Sequence, residues 1–106
     1  MTDRELLELA AKAAGIEAAW RDGEGLVCRN DAGYRFFWNP LTDDGDALRL
    51  AVKLEMSADF FDDGIVVGYT AGDVFEQVTE TPLADPLAAT RRAIVRAAAE
   101  IGRSMT

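Results

Sequence analysis

A chain of 106 residues, 49% apolar and 28% charged, is expected to form one domain over residues 1–106 around its own hydrophobic core. Its net charge of −8 at pH 7 argues against general nucleic-acid binding, because an acidic domain repels phosphate backbones. With no His and a single Cys, the chain lacks the usual zinc ligands, a Ser-His-Asp triad and any intrachain disulfide.

The first element is a helix from about Asp3 to Ala14. Leu6, Leu9 and Ala13 recur at helical spacing, with Leu7, Ala10 and Ala14 beside them. Thr2 or Asp3 can cap its start, and Gly15 suits its end. Three short strands follow, at Ile16–Arg21, Leu26–Arg29 and the aromatic run Tyr34–Trp38. The turns Asp22-Gly23-Glu24-Gly25 and Asn30-Asp31-Ala32-Gly33 separate them. Asn39-Pro40 then breaks the chain. A second helix is expected from about Asp43 to Met56, with Leu48, Ala51 and Val52 at helical spacing.

A second β region covers Ala58–Phe61, Ile65–Thr70 and Val74–Thr79, with turns at Asp62-Asp63-Gly64 and Ala71-Gly72-Asp73. The middle strand is apolar on both faces and reads as central. The proline-rich linker Thr81–Pro86 leads into a last helix to about Gly102. Asp85 caps it, Pro86 takes its first position, and Leu87, Ile94, Ala98 and Ile101 form its core stripe. The order αββ(β)αββ(β)α predicts an α+β fold, an antiparallel β-sheet between helical layers (an α/β/α sandwich). Trp38, Leu48, Ile65, Val67 and Ile94 are its expected core.

Charge is unevenly placed. Residues 41–85 carry eleven acids and two bases, whereas residues 86–106 carry one acid and four bases. In the acidic block, Asp43, Asp44 and Asp46 could ligate a divalent cation. They lack the frame of a calcium loop, and they complement a helix N-terminus. Asp43 and Asp46 have the spacing of a capping box. Asp59, Asp62 and Asp63 surround the Phe60-Phe61 pair. As turn carboxylates they should be solvated and ionised, so they suit an interaction surface better than acid–base catalysis.

Arg92, Arg96 and Arg103, with Arg91 adjacent, form a helical stripe. It could clamp an acidic group or pair with the acidic block. Trp20, Tyr34, Phe36 and Trp38 could line a ligand pocket or fill the core. Cys28, in an apolar run with no His as base, reads as a small buried hydrophobe. No phosphate-binding glycine loop, metal site or cofactor site emerges. No apolar run approaches the ~20 residues of a membrane span, and no targeting segment is visible. A cytoplasmic protein is the expectation.

Two long stretches are familiar in type. One is Trp38-Asn39-Pro40-Leu41-Thr42-Asp43-Asp44-Gly45-Asp46-Ala47-Leu48-Arg49-Leu50-Ala51-Val52-Lys53-Leu54. The other is Asp85-Pro86-Leu87-Ala88-Ala89-Thr90-Arg91-Arg92-Ala93-Ile94-Val95-Arg96-Ala97-Ala98-Ala99. In order and spacing they resemble the phage ABA sandwich family of small phage and prophage proteins. The resemblance implies a sheet between helical layers and carries over no catalytic residue. The expected function is therefore a non-enzymatic interaction domain acting on a host or phage protein, with a basic partner for the acidic block. In one version the carboxylates mimic nucleic acid. The alternative is a small-molecule module built on the aromatic β region.

Overall fold

The computed structural model describes residues 1–81 and 84–105. Residues 82 and 83, in the expected proline-rich linker, lie outside the described residues. The elements run α1 (Asp3–Ala14), β1 (Glu17–Arg21), β2 (Gly25–Arg29), β3 (Arg35–Phe37), α2 (Asp44–Lys53), β4 (Ser57–Phe61), β5 (Gly64–Ala71), β6 (Val74–Glu80) and α3 (Pro86–Ser104). The fold is α+β, with helices flanking sheets, in the expected order. The strands do not join into one sheet. They form two antiparallel meanders, β1-β2-β3 and β4-β5-β6. Each hairpin closes through a short polar turn, while α2 interrupts the chain between β3 and β4, so the fold has four strand edges instead of two.

The helix ends follow from local chemistry. Thr2 accepts from the Glu5 amide, and the Glu5 carboxylate accepts from the Thr2 amide and hydroxyl, a complete capping box. Those bonds from Thr2 hold the Glu5 carboxyl below its ordinary range. Gly15 closes α1 with φ 70°, in the left-handed region that glycine tolerates. Asp85 caps α3, accepting from the Ala88 amide at 3.1 Å.

Packing centres on α3, which touches α1, α2, β5 and β6, while α1 also covers β1 and β2. Five of the seven buried positions of α3 are Ala or Gly: Ala93, Ala97, Ala98, Ala99 and Gly102. Small side chains let two helix axes approach closely. A Cβ built on Gly102 would lie 2.1 Å from the Leu9 carbonyl oxygen. Asp3 pairs with Arg92 at 3.3 Å, and Lys12 Nζ donates to the Met105 carbonyl at 2.6 Å. These contacts rise together in sequence number, so α1 and α3 run in the same direction.

The core differs from expectation at named positions. Trp38, Ile65, Val67 and Ile94 are buried, but Leu48 is 64% exposed. Ala47 and Leu50 face inward instead. Only one narrow side of α2 meets α3, which leaves Leu48 and Val52 in solvent. Leu87, placed in the α3 core stripe by its spacing, is exposed in the first turn, whereas Val95 and Ala97, outside that stripe, are fully buried. On α1 the buried set is Leu6, Leu7, Ala10, Ala11 and Ala14, with Leu9 and Ala13 only half-buried. That helix packs on both α3 and β1-β2, so its buried arc is wider and rotated from a single-stripe reading.

Helix interiors disfavour glycine, and alanine at a free helical site would add stability. At Gly102 the close backbone reverses that sign. We expect Gly102→Ala to cost about 3 kcal/mol through overpacking, measured as a lowered urea midpoint. An unchanged or raised midpoint would show that α1 and α3 are not in backbone contact there.

Candidate functional site

The acidic start of α2 is a structural joint. Trp38 and Pro40 are buried, and Asn39 Oδ1 accepts from the Leu41 amide at 3.0 Å, bending the chain after β3. Asp43 accepts from the Asp46 amide at 2.8 Å as the N-cap. Asp46 does not return the bond that a capping box requires. Its carboxylate instead accepts from the Asn39 amide at 3.0 Å and from Arg49 at 2.8 Å. Arg91 on α3 completes the joint, donating to the Leu41 carbonyl at 2.8 Å and to Asp44 at 2.6 Å. Each aspartate of this cluster thus has a local partner, and among the described residues no group of acids is arranged to hold a metal ion.

The remaining sequence candidates fall in separate places. Asp59 lies on the outer face of β4, turned away from α3, and Asp62 and Asp63 form the β4–β5 turn. Arg92, Arg96 and Arg103 do not meet them. Arg92 pairs with Asp3, Arg96 with Glu80, and Arg103 with Glu100, one turn back on its own helix. Arg96 also donates to the Thr79 carbonyl at 3.1 Å, so it ties α3 to β6. Among the described residues, Asp44 and Glu80 are the members of the acidic block that engage the arginines of α3.

Aromatic residues are the larger surprise. Trp38 is buried and Trp20 half-buried, the latter beneath Arg4, whose guanidinium sits 5.3 Å from the ring centre. All five phenylalanines are exposed, and so is Tyr34. Phe60, Phe61 and Phe75 all belong to the β4-β5-β6 sheet. Ile65, Val67 and Tyr69 of β5 face α3, and Phe60 shares that face through its pairing with Ile65. Helix α3 packs on β5 and β6, and Phe60 beside it stays exposed. Phe61 points the other way. On that outer face the Phe75 ring lies over Gly68, where an added Cβ would come within 2.7 Å of it. Strand β4 is therefore an edge strand exposed on both faces at every residue. The sequence places a short strand at Ala58–Phe61 before the Asp62-Asp63-Gly64 turn, but it could not reveal the missing cover.

A cleft of about 270 Å³ separates α2 from the end of α1 and β3, with Ile16, Phe36, Trp38 and Leu50 on its apolar walls. Cys28 is buried beneath the β1-β2-β3 sheet, paired across to Ala18 and Phe36. Burial, and secondarily the Asp46 carboxylate, push its thiol from near 9 up to about 11, which leaves it unionised and unreactive at neutral pH. Among the described residues no helix is long and apolar enough to cross a membrane. Comparison with protein-family models, curated proteins and solved structures finds no match to this chain.

Two outcomes are expected. Replacing the cap, Asp43→Ala, should cost about 0.5–2 kcal/mol in chemical denaturation, by the same amount with and without Mg²⁺ or Ca²⁺. A metal-dependent difference would replace capping by cation binding. For Cys28, the folded state keeps its proton to about 11 while the unfolded thiol releases it near 9. Its contribution to stability is therefore intact below that lower value and is lost as pH rises through the window. Burial also raises the Tyr69 hydroxyl, with Glu100 and Glu76 adding to the effect, so the two losses overlap. Denaturation curves across this window should show a smaller alkaline loss in Cys28→Ala than in the parent; equal losses would contradict the burial of the thiol.

Proposed function

We propose that this chain is a non-enzymatic protein-interaction domain of the phage or prophage type, acting in the bacterial cytoplasm on a host or phage protein. Its partner is basic and partly apolar, and β4 receives it. The observation that carries this reading is the exposure of β4 on both faces, with Phe60 at 67% and Phe61 at 57%. A small domain has no reason of its own to leave a two-faced aromatic edge in water. The aspartates at 59, 62 and 63 surround those rings in strand and turn, and no intramolecular ion pair engages them among the described residues. Aromatic anchors with a charged rim suit a protein partner: the rings provide affinity, and the carboxylates provide steering and orientation. If the partner is itself a nucleic-acid-binding protein, the same carboxylates stand in for phosphates.

A second reading has its own observation. The cleft between α2 and β3, walled by Phe36 and Trp38, has the size and apolar lining for a small hydrophobic molecule. A ligand-dependent rise in melting temperature would favour it.

The main reading is tested by replacing Asp59, Asp62 and Asp63 with Lys. These are exposed strand and turn positions, so stability should change by less than about 0.5 kcal/mol. Capture of the basic partner from host lysate should be abolished. In the parent, capture should weaken as salt rises, since screening acts over about 8 Å at physiological ionic strength. A partner whose affinity ignores both salt and these substitutions would contradict the electrostatic account.

A further inference from the structure

Nine arginines divide into two groups. Arg4, Arg49, Arg91, Arg92, Arg96 and Arg103 each form an ion pair with a carboxylate. Among the described residues, Arg21, Arg29 and Arg35 form none. Register places these three together. Glu17, Arg29 and Arg35 are paired across the β1-β2-β3 sheet, Ala19, Val27 and Phe37 form the next row, and Arg21 follows beside Gly25. All of these side chains lie on the face opposite Cys28 and Leu26, which point into the core. Arg29 and Arg35 are directly opposed like charges, an arrangement that costs stability unless an anion joins them. A groove of about 120 Å³ on this face touches all three arginines. Glu17 stands in the same row, opposite Arg29, and Glu24 lines the neighbouring groove, neither in an ion pair, so this face carries three arginines against two glutamates in a chain of net charge −8.

The edge of β3 adds a second feature. The Asn30 amide donates to the Tyr34 carbonyl, and the Trp38 amide to the Leu26 carbonyl. Antiparallel ladders alternate, so the polar backbone groups of Arg35 and Phe37 point away from β2, along the open edge of the sheet. The residues with outward backbone groups are the same ones that present Arg and a 68% exposed Phe to the outer face.

We propose that an acidic extended segment of a partner protein adds to this sheet as a fourth strand, antiparallel to β3. One carboxylate sits over Arg35 and Arg29, and an apolar side chain two residues away covers Phe37. A strand uses the open backbone groups directly, with alternate side chains giving specificity. Nucleic acid offers no matching strand, and the chain's overall charge opposes a polyphosphate. This surface lies on a different sheet from β4 and is independent of the basic-partner reading.

The probe is a fluorescein-labelled peptide of repeating Glu-Thr-Leu-Thr, titrated with the full chain by fluorescence anisotropy. Saturable binding that weakens with salt is expected, with the 35 and 37 amides shifting in heteronuclear NMR spectra. Arg35→Glu creates an attractive pair with Arg29, so the fold is retained, and binding should fall at least about tenfold. N-methylation of the peptide at its Glu and Leu residues, whose amides would face β3, should cause a comparable loss. Phe37→Ala keeps the charges and should weaken binding without changing its salt dependence. The proposal is overturned if the peptide fails to saturate by about 1 mM. It is equally overturned if methylated and unmethylated peptides bind alike, or if a thymidine oligonucleotide binds as tightly as the peptide.

Discussion

The backbone contact between α1 and α3 is the constraint on which the other elements depend. Gly102 lets the Leu9 carbonyl come within a distance that no Cβ would permit. Helix α1 carries the first sheet and α3 carries the second, so this crossing joins two halves that have no shared β ladder. Alanine on α3 serves the same end, because short side chains bring the axes close and leave little void to fill. Helix α2 is attached by different means. Arg91 reaches from α3 into the turn before α2, satisfying a carbonyl and a cap-proximal carboxylate at once.

That joint gives a structural meaning to the long motif beginning at Trp38. The indole and Pro40 fill the core, Asn39 bends the chain, Asp43 caps the helix, and Asp46 holds the Asn39 amide. Asn39, Asp43, Asp44, Asp46 and Arg49 each have a local hydrogen-bond or ion-pair partner. The helix α3 stretch is similarly absorbed: its alanines pack, and its arginines tie it to α1, α2 and β6.

Both proposed protein-binding surfaces lie at sheet edges. Dividing six strands between two meanders creates four edges, and three of them, β3, β4 and β6, carry exposed phenylalanines. At β4 the charge is negative, from Asp59, Asp62 and Asp63. At β3 it is positive, from Arg35 beside Arg29. Unpaired edges invite additional strands, and charge decides which ones are admitted. The charges left outside ion pairs on these two edges thus differ in sign between the two sheets.

Local signals in the sequence determined the elements themselves. Thr2, Asp43, Asp85 and Gly15 mark helix ends through bonds to amides and through a left-handed turn, and polar turns between apolar, aromatic and β-branched runs mark the strands. The burial of Trp38, Ile65, Val67 and Ile94 was legible because each lies on an apolar stripe. Tertiary packing decided the rest. Leu48 and Leu87 satisfy the helical period, yet no element covers them. Phe60 and Phe61 carry the same β propensity whether their strand is central or at an edge. Arg29 and Arg35 can be recognised as opposed charges only once the β2–β3 register is known. Periodicity specifies which face of an element is apolar; which neighbour arrives to cover that face depends on contacts between residues far apart in the chain.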